Sequence, residues 1–189
     1  MGGAGTPRRA RTETVVALLA IFAGILLPRS APAEAADQVK AAFLFNFARY
    51  VEWPESAFAS ADAPIRICLI GGGDFAGVLT SAVSGRTVGV RPVEVVPLSG
   101  LADAAQCHLL FFEANAAAEG AAVAERLGSS AVFTISDRAG FALEGGVANF
   151  ILVDQKIRFE INQKAARRAG LKISSSLLRL AKLVDEAGH

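Results

Sequence analysis

From Ile65 onward the chain alternates short β-rich runs with helical ones. IRICLI is followed by DFAGVLTSAV, PVEVVPL by LADAA and HLLFF by AAAEGAAVAERL, and AVFTIS closes the series. The strand-like runs are apolar at nearly every position. A strand with one wet face would show a polar residue at every second position, because successive side chains point to opposite faces. These runs must therefore be covered on both sides, which is the condition of a parallel sheet lying between helices. The pattern predicts an α/β fold, a three-layer sandwich with a mostly parallel, Rossmann-like sheet. The rhythm then changes. NFILV (149–153) and KIRFEI (156–161) flank Asp154-Gln155 closely enough for a tight hairpin, so an antiparallel addition to the sheet is expected. Asn162 can cap a short helix that Gly170 closes. The leucines of LLRLAKLV recur at helical spacing and predict a last helix.

The N-terminus reads as an export signal. Arg8, Arg9 and Arg11 precede the apolar run Val15 to Leu27, and Ala31-Pro32-Ala33 or Ala33-Glu34-Ala35 supplies an A-x-A-like site. The run is shorter than the roughly 20 residues that a membrane span needs. The expected organisation is residues 1–33 as a signal peptide and 34–189 as one domain. The leader carries four arginines against Glu13, so the remainder falls from +1 to about −2. Nucleic acid or an anionic membrane surface has no electrostatic support as a partner. Two cysteines survive cleavage, Cys68 and Cys107. In an oxidising compartment the expectation is a pair, the alternative being two buried apolar thiols that never meet.

Asp37 to Trp53 reads as a helix stopped by Pro54, with Val39, Phe43, Leu44, Phe47, Tyr50 and Val51 on one apolar arc. Phe45 lands among the polar residues. It is therefore either covered by a neighbouring segment or offered to a partner.

Gly71, Gly73 and Ala76 fit G-x-G-x-x-A between a strand and a helix, the spacing that admits a pyrophosphate. Asp74 inside the loop would oppose a phosphate, however, and the next strand does not end on an acid that could hold a ribose. A tight corner with Asp74 as helix cap accounts for the same letters, so no cofactor is expected. Asp74, Glu113 and Asp137 each follow the C-terminal end of a predicted parallel strand, where open α/β sheets bind ligands. A rim of three carboxylates would favour a cation or an amine, which makes a small-ligand binding or sensing module the alternative reading. His108 follows Cys107 directly, so the two side chains point apart and cannot act as base and nucleophile. His189 is terminal. No metal site and no catalytic constellation emerges.

VKAAFLFNFARYVEWP (39–54), GRTVGVRPVEV (85–95), CHLLFF (107–112), GGVANF followed by RFEIN, and AGLKISSSLLRLAKLV (169–184) resemble the YfiR family of periplasmic proteins. The likeness runs through nearly the whole mature chain in the same order. It implies a non-enzymatic regulator that binds the periplasmic region of an inner-membrane diguanylate cyclase and holds it inactive. It also implies homodimers, an outer-membrane lipoprotein as antagonist, and outputs in cyclic-di-GMP signalling and biofilm formation. Cys68 and Cys107 match the family's recurring cysteine pair, whereas the second pair of some members is missing. For the docking surface the sequence suggests Phe45, with Arg158 and Glu160 on the polar side of the hairpin strand.

Overall fold

The computed structural model describes residues 1–3, 32–71, 73–116 and 120–185. Arg8, Arg9, Arg11, the run Val15 to Leu27, Ala31 and His189 lie outside them. The chain opens with α1 (Pro32–Tyr50) and β1 (Val51–Glu52), then runs through β2 (Ile65–Ile70), α2 (Phe75–Val83), β3 (Thr87–Val88) and β4 (Arg91–Leu98). β5 (Leu109–Phe112), α3 (Gly120–Leu127) and β6 (Phe133–Ser136) follow. The last part holds β7 (Ala148–Val153), β8 (Lys156–Asn162), α4 (Gln163–Arg168), β9 (Lys172–Ile173), α5 (Ser175–Leu178) and β10 (Lys182–Val184).

The main sheet has the order β10-β8-β7-β6-β5-β2-β4-β3. Strands β4, β2, β5, β6 and β7 are mutually parallel, and β8 returns antiparallel to β7. Strict alternation along the central strands divides the core. Ile67, Leu69, Leu109, Phe111, Phe133 and Ile135 face α1 and α2, whereas Cys68, Leu110 and Phe112 face the layer containing α3. This is the two-faced burial that the apolar runs require. The hairpin turns at Asp154 and Gln155, both with positive φ (48° and 58°), as a two-residue turn of the primed type needs. Asn162 Oδ1 accepts from the Ala165 amide at 2.9 Å and caps α4, and Gly170 (φ +69°) ends it.

Four local expectations need correcting. First, α1 stops at Tyr50 instead of Trp53, because Val51 and Glu52 pair with Ile173 and Lys172 of β9. Second, its buried face is rotated from the one read in the sequence. Ala41, Leu44, Phe45, Phe47 and Ala48 are buried, whereas Val39 and Tyr50 are exposed. The reading weighted large residues, but Ala41 and Ala48 turn inward where small side chains let α1 approach its neighbours. Third, the leucine-rich end is one helical turn and then a strand, since β10 finds the open edge of β8 and pairs parallel to it. Fourth, LADAA forms only a short 3-10 turn at Ala104–Gln106.

Candidate functional site

The glycine corner is filled by the chain itself. Gly71 has φ +89°, and a Cβ there would stand 2.5 Å from the Ala116 Cβ and 3.3 Å from the Glu113 Cβ. A Cβ on Gly73 (φ +38°) would lie 3.9 Å from Glu113 Oε1. Both glycines thus serve a left-handed turn and a close approach, and a carboxylate stands beside the loop where a phosphate would need donors. Asp74 occupies the position before α2 but is exposed, has a helical backbone (φ −67°, ψ −25°) and makes no side-chain capping bond. Its expected role as a cap is corrected: with that backbone its carboxylate does not reach the free amides of the first turn.

The three rim carboxylates have separate surroundings. Glu113 packs against the glycine corner, and Asp74 faces solvent. Asp137 is engaged by Lys40 of α1, Nζ to Oδ2 2.8 Å, with Asp37 3.6 Å from the same ammonium. The amine that such a rim could attract is therefore supplied from within the chain. Among the described residues no cluster of three or more His, Cys, Asp or Glu side chains could hold a metal ion.

On the opposite face Cys68 of β2 and Cys107, just before the neighbouring β5, are disulfide-bonded with Cα atoms 5.9 Å apart. Closing that 39-residue separation stabilises the fold by about 4 kcal/mol in the chain-entropy model. His108 next to it is buried, and both of its ring nitrogens are used. Nδ1 accepts from the Arg66 amide at 3.0 Å and Nε2–H donates to the Ala57 carbonyl at 3.1 Å. A backbone amide can only donate and a carbonyl only accept, so the pair of bonds defines one neutral tautomer. Burial first, then the positive charges of Arg66 and Arg91, push its pKa down to about 4, against the opposing pull of the Ala57 bond. Sequence reading missed this corner, because Phe58 lies in a loop with no periodic signal and Arg91, at the start of β4, is brought to it only by the fold.

The residues suggested for docking divide. Phe45 is 8% exposed, lying in the core under the guanidinium groups of Arg86 (4.8 Å to the ring centroid) and Arg49 (5.9 Å). Glu160 is also buried, accepting from Asn149 Nδ2 at 3.1 Å and Lys182 Nζ at 2.8 Å. Neither is on the surface: the α1 face is rotated, and β10 covers the edge that would have left Glu160 wet. Arg158 is exposed. Near it the hairpin end bares Leu152 (64% exposed) and Val153 (43%), and Leu183 of the edge strand is 51% exposed.

The comparisons with known proteins meet this geometry. A family model described as YfiR/HmsC-like matches residues 37–182, from the first helix to the start of the last strand. The chain belongs to the YfiR/HmsC-like family. Membership places it with periplasmic regulators of cyclic-di-GMP signalling and not with known enzymes. No curated protein matches it. A solved structure, a conserved domain protein from Vibrio cholerae, superposes with a TM-score of 0.53 at 11% identity. The match covers 78% of this chain and 59% of the other, so it speaks for the fold alone. Among the described residues no helix is long and apolar enough to cross a membrane.

Proposed function

We propose that this YfiR/HmsC-like chain is exported to the periplasm with removal of residues 1–33, and there docks on the periplasmic region of an inner-membrane diguanylate cyclase and holds it inactive. The observation that carries the reading is the family match from Asp37 to Lys182. The structure supports it with exposed apolar side chains at the sheet edge: Leu152 and Val153 end the first hairpin strand, Arg158 is exposed on the second, and Leu183 lies next to Lys182 on the edge strand, opposite Ile161. Apolar surface rimmed by charge is the ordinary make-up of a protein contact. Glu160 supports this edge from inside by fixing Lys182. The protein acts as a homodimer, and an outer-membrane lipoprotein competes for it.

Repression is a population shift, so the protein must prefer the inactive cyclase. Moving a 1:99 balance to 99:1 takes about 5.5 kcal/mol of differential binding. The test is to delete the gene in its own cells and measure cyclic-di-GMP, with crosslinked membrane partners recovered on the tagged chain. A rise on deletion, reversed by the exported chain, is expected together with recovery of a cyclase. Unchanged cyclic-di-GMP and recovery of no signalling protein would refute the reading.

A further inference from the structure

A strap, residues 53–64, connects β1 to β2, and its hold on the sheet converges on one imidazole. Trp53 Nε1–H donates to the His108 carbonyl at 3.0 Å. The His108 ring donates to the Ala57 carbonyl, and Phe58 stacks on it with centroids 4.4 Å apart. Arg91 lies over the Phe58 ring at 3.6 Å and donates to the carbonyls of Ser60 (2.9 Å) and Ala63 (2.8 Å). Behind the strap lies a cavity of about 330 Å³ whose wall includes Pro54, Ser56, Ala57, Ser130, Gly170 and Cys107. Cys107 itself is only 4% exposed. The strap is therefore one wall of a cavity that Cys107 also lines.

We propose that His108 is an acid-sensitive latch: neutral, it clamps the strap in front of Cys107, and protonated, it releases the strap and opens the Cys68–Cys107 disulfide to solvent. Protonation puts a hydrogen on Nδ1, the atom that accepts from the Arg66 amide, so two donors then face each other and that amide loses its partner. The new charge would also join Arg66 on β2 and Arg91 on β4. Among the described residues no carboxylate forms an ion pair with the ring. On the strap, Asp62 is exposed and bonded to Ser60, and Glu55 is exposed; on the small sheet, Glu52 and Lys172 are exposed. Nothing packed on the imidazole is placed to compensate an imidazolium, whereas a released ring would be solvated.

The closed ring titrates at about 4 against 6.5 when free. Linkage then raises the strap-opening equilibrium about 30-fold between pH 7.5 and pH 5. Trp53 is the only tryptophan in the chain and touches the ring edge-on at 5.9 Å, so it reports directly. The experiment takes the exported chain from pH 7.5 to 5. It follows Trp53 emission, amide exchange of residues 54–64 corrected for intrinsic rates, and disulfide reduction by a water-soluble phosphine relative to an unhindered disulfide. The expected result is a rise of about 30-fold in strap exchange and in relative reduction rate, with α2 amides unchanged. His108→Asn, which keeps a neutral acceptor, should flatten all three profiles. The latch is wrong if strap exchange in the unaltered protein shows no such rise, or if α2 opens in parallel. The unaltered protein decides the matter even if the variant does not fold.

Discussion

Lys40 and Asp137, 97 residues apart, meet as a part-buried ion pair, Nζ to Oδ2 2.8 Å, that ties the first helix to the C-terminal end of β6. The second carboxylate oxygen of Asp137 is buried and has no hydrogen-bond partner among the described residues. Lys40 thus supplies most of what makes this carboxylate tolerable away from water. Lys40→Met keeps the stem and removes the charge, leaving the carboxylate undersatisfied. A loss of about 1–3 kcal/mol is expected in urea unfolding. Asp137→Asn should cost less, since an amide oxygen still accepts from Lys40. Equal losses in the two variants would show that the pair itself contributes little.

Phe45 offers a sharp contrast between surface and core. Its ring sits in the main core cluster with Arg86 and Arg49 above it. Phe45→Ala should therefore cost about 3–5 kcal/mol, through lost burial and the cavity left behind. Arg86→Ala removes only the cation over the ring and should cost about 0.5–1 kcal/mol. Chemical denaturation of both variants checks the ordering, and a Phe45→Ala protein as stable as the parent would return this residue to the surface.

The glycine corner predicts effects of opposite sign six residues apart. At Gly71 an alanine meets both a left-handed backbone and Ala116, so Gly71→Ala should destabilise by about 1–3 kcal/mol. At Gly77, inside α2 and with open space where a Cβ would stand, alanine raises helix propensity and should stabilise by about 0.5–1 kcal/mol. Thermal unfolding of the two variants decides it. Losses in both would mean that α2 is packed more tightly than its contacts show.

Much of this fold was legible because burial on two faces leaves a mark in the sequence. IRICLI, HLLFF and AVFTIS are apolar at nearly every position, and each supplied a strand. Asp154-Gln155 marked its hairpin by the brevity of the gap between two runs. What was not legible depended on partners far along the chain. The leucines of 177–183 have helical spacing, yet the end of that stretch, from Lys182, is recruited by the free edge of β8. Ala41 and Ala48 carry too little hydrophobic weight to reveal which side of α1 turns inward. The rim carboxylates were correctly placed on loops, but nothing near Asp137 announces Lys40, and nothing near His108 announces Phe58 or Arg91.

The hairpin end is where docking can be separated from folding. Leu152 and Val153 are exposed at the end of β7, and Arg158 faces solvent on β8. Substitutions at such positions ordinarily change stability by less than about 0.5 kcal/mol. Leu152→Asp and Arg158→Glu should therefore leave the unfolding midpoint unchanged. In a contact built around these side chains, a buried aspartate lacks a counter-charge and a reversed rim charge repels what Arg158 attracted. Affinity for the cyclase's periplasmic region should fall at least tenfold for Leu152→Asp and less, with a stronger salt dependence, for Arg158→Glu. Binding measured at two ionic strengths checks both. If affinity is intact in both variants, the docking surface lies elsewhere on the molecule, and the open edge of β10 at Leu183 becomes the next place to substitute.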